Sequence, residues 1–371
     1  MADHSLSRYI GTFQTKSNQS FGVRFISEKD TKSISEIMQD AYGFEYLYPK
    51  VYDEKKLKET VKNKNNFWLI AESVDGKEPA GIALAEKRNN FSIYVGKLAI
   101  KNRFRHQGIA RGLGTNSFLA MLKQPEFKTV IRLDSDVRVS QYNSMLTVKA
   151  LGQFPYAVIP NFNCYGDKRK FHPEYGVPYC DGRLEAAVLF LGPINGFWKK
   201  REKKVHLLGN KQVLDMYQIV RKIARRMKKD EVTIEDSYSI LPEHYQINRD
   251  YYKGIATIEG MLLESTLDNL LDEFYEWNVV EWRIPTTNEG LFSQHLAIDN
   301  GFIVTGYDPG SYKEDSHILD TLIMCKFPNG VNQNQFRGMR LTETAKPLAS
   351  SVIHQIKKLR QKRSLTIMQL H

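Results

Sequence analysis

The stretch LAIKNRFRHQGIARGLG, residues 98–114, decides how this chain is read. It leads from the end of a long apolar strand, FSIYVGKLAI (residues 91–100), through a basic turn into an apolar helix running to about Leu122. Gly108, Gly112 and the small Ala110 let backbone N–H groups come close to a ligand. The helix that follows offers orphan N–H donors and a partial positive charge at its N-terminus. Together these make a cradle for a pyrophosphate, and Arg105, His106 and Arg111 add charge-assisted contacts. The glycines run G-x-x-x-G-x-G, so the turn is not the dinucleotide fingerprint. No Gly-Lys-Ser/Thr follows, so it is not a nucleotide-triphosphate loop either.

Working outward, residues 21–26 alternate like a strand, and helices are expected over 31–41 and 53–64. Strands follow at 66–72, 81–86, 91–100 and 128–133, then a helix over 139–151 with Gly152 as its C-cap. Two more strands, 154–160 and 184–191, flank a polar excursion over 161–183. This order predicts a mixed α/β sheet in one domain of about 190 residues. Asp134 and Asp136 fall just after a strand, where ligands of open α/β sheets often sit. Residues 194–210 read as a basic linker, and 210–229 as an amphipathic helix with Arg221, Lys222, Arg225, Arg226, Lys228 and Lys229 on its polar face. Strands at 254–260, 279–284, 302–306 and 321–327, with helices at 265–277 and 289–300, then echo the first half. The expected division is a polar leader (1–20), a first domain (21–193), the linker (194–210), a second domain (211–330) and a basic tail (331–371).

Composition bounds the function. The 371 residues are 42% hydrophobic and 26% charged, which fits a soluble globular chain of two or three domains. No stretch approaches the ~18 apolar residues of a membrane span, and the leader lacks the apolar core of a secretory signal. Three cysteines make no disulfide framework, so a cytoplasmic setting is expected. Cys164, His172 and Cys180 match no compact zinc spacing, and no metal is expected. The net charge of +11 is blocked: +10 over residues 194–229, −14 over 230–330 and +7 over 331–371. The majority reading is that the basic blocks neutralise the acidic one within the fold. Nucleic acid is the minority reading, because no zinc finger, RRM signature or basic zipper accompanies the charge.

The turn Arg105-x-x-Gly108-x-Ala110 resembles the signature of the GNAT superfamily of N-acetyltransferases, Arg/Gln-x-x-Gly-x-Gly/Ala between a long strand and a helix. Leu151-Gly152-Gln153-Phe154 resembles the family's next element, and the likeness covers roughly residues 20–193. In the second half only Ile298-Asp299-Asn300-Gly301-Phe302 and its surroundings resemble the family, and the signature turn is missing. The resemblance implies two GNAT-like lobes, the second degenerate, each a mixed, mostly antiparallel twisted sheet flanked by helices. It implies an acyl-CoA-dependent N-acyltransferase, with acetyl-CoA as the donor. Backbone contacts to the pantetheine and acyl carbonyl would fall at Leu98, Ala99 and Ile100, and the pyrophosphate on Arg105, His106, Gln107, Gly108, Ile109, Ala110 and Arg111. The acyl group would pass directly to a primary amine, on a small molecule or a lysine side chain, bound between the lobes.

The chain departs from the family where catalysis is done. The strand before the turn carries Tyr94, Gly96 and Lys97 where many relatives have Glu, and Val148 stands where many have Tyr. Glu86 is left as the candidate base and Tyr142 as the candidate acid. Two other readings stay open: an acyl-CoA-sensing module that does not turn over, and a transferase linked to RNA or aminoacyl-tRNA.

Overall fold

Alternating apolar residues and short polar turns build the first half. The computed structural model describes residues 8–237 and 242–369. In chain order the first half comprises β1 (Gly11–Gln14), β2 (Ser20–Phe25), α1 (Thr31–Tyr42), α2 (Glu54–Lys62), β3 (Asn66–Ser73), β4 (Pro79–Lys87), β5 (Ser92–Ile100), α3 (Ile109–Lys123), β6 (Arg132–Arg138), α4 (Tyr142–Ala150), β7 (Phe154–Tyr165) and β8 (Arg183–Pro193). Ile34, Ile37 and Met38 of α1 pack on Trp68, Ile70, Ile82 and Leu84. The opposite sheet face, with Leu69, Ala71 and Ala83, is covered by Ile109 and Leu113 of α3. Period two in the strands and 3.6 in the helices thus close two layers of core around one sheet.

The rest comprises α5 (Phe197–Lys200), β9 (Lys204–Leu208), α6 (Lys211–Ile223), β10 (Glu231–Glu235), β11 (His244–Asp250), β12 (Ile255–Met261), α7 (Glu264–Glu273), β13 (Val279–Pro285), α8 (Leu291–Asp299), β14 (Ile303–Glu314), β15 (His317–Lys326), α9 (Asn334–Arg337) and α10 (Lys346–Gln369). Among the described residues, thirteen strands form one sheet in the order β1-β2-β3-β4-β5-β6-β8-β7-β14-β15-β13-β12-β11, and β9 and β10 pair separately. Most neighbours are antiparallel; β5–β6 and β12–β13 are parallel. The run β4-β5-β6-β8-β7 is repeated in mirror position by β11-β12-β13-β15-β14, with a helix crossing over in each parallel pair. The internal echo seen in the sequence is therefore one of strand order.

The two halves meet where β7 pairs with β14, at Ala157 and Gly306. A Cβ on Gly306 would lie 2.2 Å from the Cβ of Ala157, so only glycine lets these strands close. Around the seam run buried ion pairs. Arg132 of β6 bonds Asp308 of β14 at 2.9 Å, and Arg201 holds Asp230 at 2.8 Å while also pairing with Asp320. Gly306→Val forces overpacking there and is expected to cost about 1–3 kcal/mol. Urea unfolding read by tryptophan fluorescence measures it; an unchanged midpoint would show the seam to be loose.

Four expectations are corrected by packing. Residues 11–14, within the expected leader, form β1: Phe13 stacks on Phe21 at a ring separation of 5.9 Å and lies over Gly112 of α3. The linker holds α5 and β9, and Phe197, Val205 and Leu207 are buried. The tail forms α10, whose Leu348, Val352 and Ile356 enter the core of the second half. The strand expected at 128–133 lies at Arg132–Arg138 instead. Its acidic residues looked like a turn but are paired inside the sheet, Asp134 with Arg132 and Asp136 with Lys253; Arg138 pairs with Glu185.

Candidate functional site

The site begins as an irregularity in β5. Opposite β4 the register runs Ile82↔Ala99 and then Leu84↔Gly96, so β5 carries one extra residue. Lys97 takes up that bulge with φ of +50°. Regular alternation would place Lys97 with Val95 against α3. The extra residue turns it to the opposite face, beside the rings of Tyr48 and Trp68, with Nζ 5.8 and 5.9 Å from their centroids.

On its other edge β5 pairs with β6 only through Tyr94↔Asp134, three residues in all. Beyond that point the strands part, leaving the edge of β5 through Leu98, Ala99 and Ile100 without a strand partner on that side. The opening is lined by Val95, Leu98, Leu133, Phe118, Val148 and Leu151, an apolar slot between the sheet and helices α3 and α4. Two polar groups face into it unsatisfied. Ser117 Oγ and both amide atoms of Gln153 are buried and have no hydrogen-bond partner. Buried polar atoms are normally paired, so these fit a ligand carrying amides and an apolar chain. The corresponding pair in the second half, β12 and β13, stays in register over five residues, and the β11–β12 register has no bulge. Among the described residues the opening is in the first half.

The signature turn sits at the end of that opening. His106 (φ 64°) and Gly108 (φ 90°) are both left-handed, which folds the chain back onto the start of α3. No side chain caps the helix. The N–H groups of Ile109, Ala110 and Arg111 therefore remain for a ligand. Gln107 Oε1 is buried without a partner. Ile109 and Ala99 are themselves core residues, 1% and 3% exposed, and contribute only backbone. Arg111 and His106 are exposed at the rim. Arg105 is tied back to the carbonyls of Ile100 and Ala41 at 3.4 Å each, so it braces the turn. A helix N-terminus with open N–H groups is the arrangement that anions such as a pyrophosphate use elsewhere.

Polar groups converge on the face turned towards α1. Tyr94 bonds Asp136, and Asp136 takes Lys253 Nζ at 3.3 Å. Lys253 lies over the ring of Phe162 at 4.0 Å. Asp250, three residues earlier, accepts from Tyr48 Oη at 2.7 Å. The turn between β11 and β12 thus reaches from the second half into the mouth of the first. Burial pushes up the carboxyl of Asp136, but Lys253 and the Tyr94 hydroxyl outweigh it and hold the group below its ordinary value. Burial also drives the Lys97 ammonium down to about 8, against Glu86 and Asp136, which favour its charge. Among the described residues Lys97 makes no hydrogen bond or ion pair. The indole N–H of Trp68 beside it is likewise buried and unpartnered.

Glu86 stands opposite Tyr94 in the ladder, within reach of the charge on Lys97. Tyr142 does not join the cluster: it opens α4 at 41% exposure, near Lys346 of α10. Asp134 is bound to Arg132 and serves the seam. Sequence reasoning missed Lys97, Lys253, Asp250, Trp68, Ser117 and Gln153. One signal was available, a lysine inside the otherwise apolar run SIYVGKLAI.

No family model matches the chain, and no curated protein matches it. Solved structures do. The ribosomal-protein-S18-alanine N-acetyltransferase of Escherichia coli is 20% identical, covering 47% of this chain and 94% of its own, with a TM-score of 0.35. The ribosomal-protein-S5-alanine acetyltransferase of Vibrio fischeri is 14% identical over 49% of this chain and 96% of its own, with a TM-score of 0.37. NAA60 of Arabidopsis thaliana, in complex with a bisubstrate analogue, is 16% identical over 47% of this chain and 99% of its own, with a TM-score of 0.37.

Proposed function

We propose that this chain is an acyl-CoA-dependent N-acyltransferase that uses acetyl-CoA and a primary amine. The observation that carries the reading is the parting of β5 and β6 at a bulge, directly beside an uncapped, glycine-opened helix N-terminus. The turn at 105–111 would hold the pyrophosphate through backbone N–H groups. Ser117 and Gln153 would meet the amides of the pantetheine arm inside the apolar slot. The donor supplies an activated thioester. The free edge of β5 near Ala99 and Ile100 can offer an N–H to its carbonyl oxygen.

The acceptor amine would come from the face of α1, where residues 250–254 of the second half close the mouth. An amine arrives largely as an ammonium and must lose a proton before it attacks. Lys97 would take that proton. It is half-buried, without a hydrogen bond or ion pair among the described residues, and held at the bulge, and burial lowers its ammonium to about 8. Glu86, the base expected from the sequence, would act through Lys97. Tyr94, backed by Asp136 and Lys253, would return a proton to the departing thiolate, the role expected from the sequence for Tyr142.

The test is titration calorimetry with acetyl-CoA, followed by detection of free CoA thiol with polyamine, aminosugar and lysine-peptide acceptors. Binding with thiol release supports the reading. A chain that takes up no acetyl-CoA refutes it.

A further inference from the structure

The basic block at 194–229 was expected to neutralise acid inside the fold. The structure spends one of its arginines that way: Arg201 is 4% exposed and bridges Asp230 and Asp320. Lys211 pairs with Asp215 on its own helix. Nine others, Lys199, Lys200, Lys203, Lys204, Lys222, Arg225, Arg226, Lys228 and Lys229, are exposed. None of the nine makes an ion pair among the described residues.

The fold draws the segments that carry them together. They lie on two segments, 199–204 and 222–229, the second beginning in the last turn of α6. Arg201 grips Asp230 through both guanidinium nitrogens at 2.8 Å. The N–H of Glu231 donates to the carbonyl of Lys203 at 2.9 Å, and β9 and β10 continue that contact as a parallel pair. Lys199 and Arg226 consequently line one shallow groove, whose wall includes the half-buried Trp198. Trp198 is set there by stacking on Phe154 at 6.1 Å. A surface of unpaired cations costs self-repulsion and has no role in the junction that Arg201 already secures.

We propose that this groove and its rim bind single-stranded nucleic acid, with phosphates on the lysines and arginines and bases on Trp198. Cations that track a backbone beside an aromatic platform are the elements such binding uses. An anionic membrane surface would use the charge but not the concave aromatic wall. The proposal does not depend on the acyl-transfer reading, because the groove is built from residues 193–199 and Arg226 and shares no lining residue with the opening between β5 and β6.

The full chain is titrated into fluorescein-labelled oligouridylate and oligodeoxythymidylate, read by anisotropy between about 50 and 200 mM salt. The expected result is binding to at least one, with a log–log salt slope of about −3, which is four phosphates at −0.7 each. Paired reversal, Lys199→Glu with Arg226→Glu, weakens it at least tenfold with near-ultraviolet circular dichroism unchanged. Should that pair unfold, Lys200→Glu with Lys229→Glu makes the same test. Lys55→Glu, exposed on α2 of the first half and remote from the groove, leaves affinity within twofold. No binding at the lowest salt overturns the proposal. So does affinity that ignores the reversals, or uptake by phosphatidylserine vesicles with none by either oligonucleotide.

Discussion

Gly108→Glu removes acetyl-CoA binding and leaves the fold intact. Gly108 sits at φ 90° with nothing within 4 Å of where a Cβ would go. A side chain there meets no steric obstacle, and its cost to folding is the left-handed backbone alone, about 1 kcal/mol. The new carboxylate, however, projects into the space that a pyrophosphate needs. One charge about 5 Å from another at an effective dielectric near 20 is worth about 3 kcal/mol, more than a hundredfold in affinity. Gly108→Ala separates the two effects: it carries the same strain without the charge and keeps most of the binding. Calorimetry on the three proteins decides. If Gly108→Glu binds like the wild type, the pyrophosphate lies elsewhere and the assignment of residues 105–111 fails.

Lys97→Met lowers kcat by about a hundredfold or more, the range of a lost general base, and leaves acetyl-CoA affinity within threefold. The pH profile carries the sharper test. Burial lowers the Lys97 ammonium to about 8. Below that pH the amine is protonated and cannot accept a proton, so the rate falls about tenfold per unit as pH falls; above it the rate levels off. Each element packed around the amine adds a charge. Glu86 on β4 and Asp136 on β6 hold the proton on, while Lys50 and Lys253 push it off. Glu86→Gln therefore moves the limb to lower pH, a shift that a merely structural role would not produce. Lys97→Arg keeps length and charge but never becomes neutral, so it stays inactive. Activity in Lys97→Arg, or an unmoved limb in Glu86→Gln, would leave Lys97 as scaffolding.

Much of the first half was legible because its signals are local. Spacing of apolar residues set most strands and helices within a few positions, and the glycines of the turn marked α3 and its exposed N-terminus. β6 was misplaced because Asp134, Asp136 and Arg138 look like solvent-facing charges until their partners on β6 itself, β8 and the β11–β12 turn are known. Tyr142 was chosen for its helix, and its exposure shows that helix membership alone does not aim a side chain.

The sequence by itself determined the turn, the alternation that buries each strand and the order in which elements follow. These depend on neighbours within a few residues, where backbone sterics and hydrophobic period act. Tertiary structure decided the rest. A bulge exists only relative to a partner strand, so the turning of Lys97 to the other face needed β4 beside β5. The meeting of Tyr94 and Asp136 with Lys253 spans more than a hundred residues, and it follows from Gly306 letting two half-sheets join as one. The basic surface likewise needed Arg201 and Asp230 to draw two segments together, because charge in a sequence shows its amount but not which partners remain free.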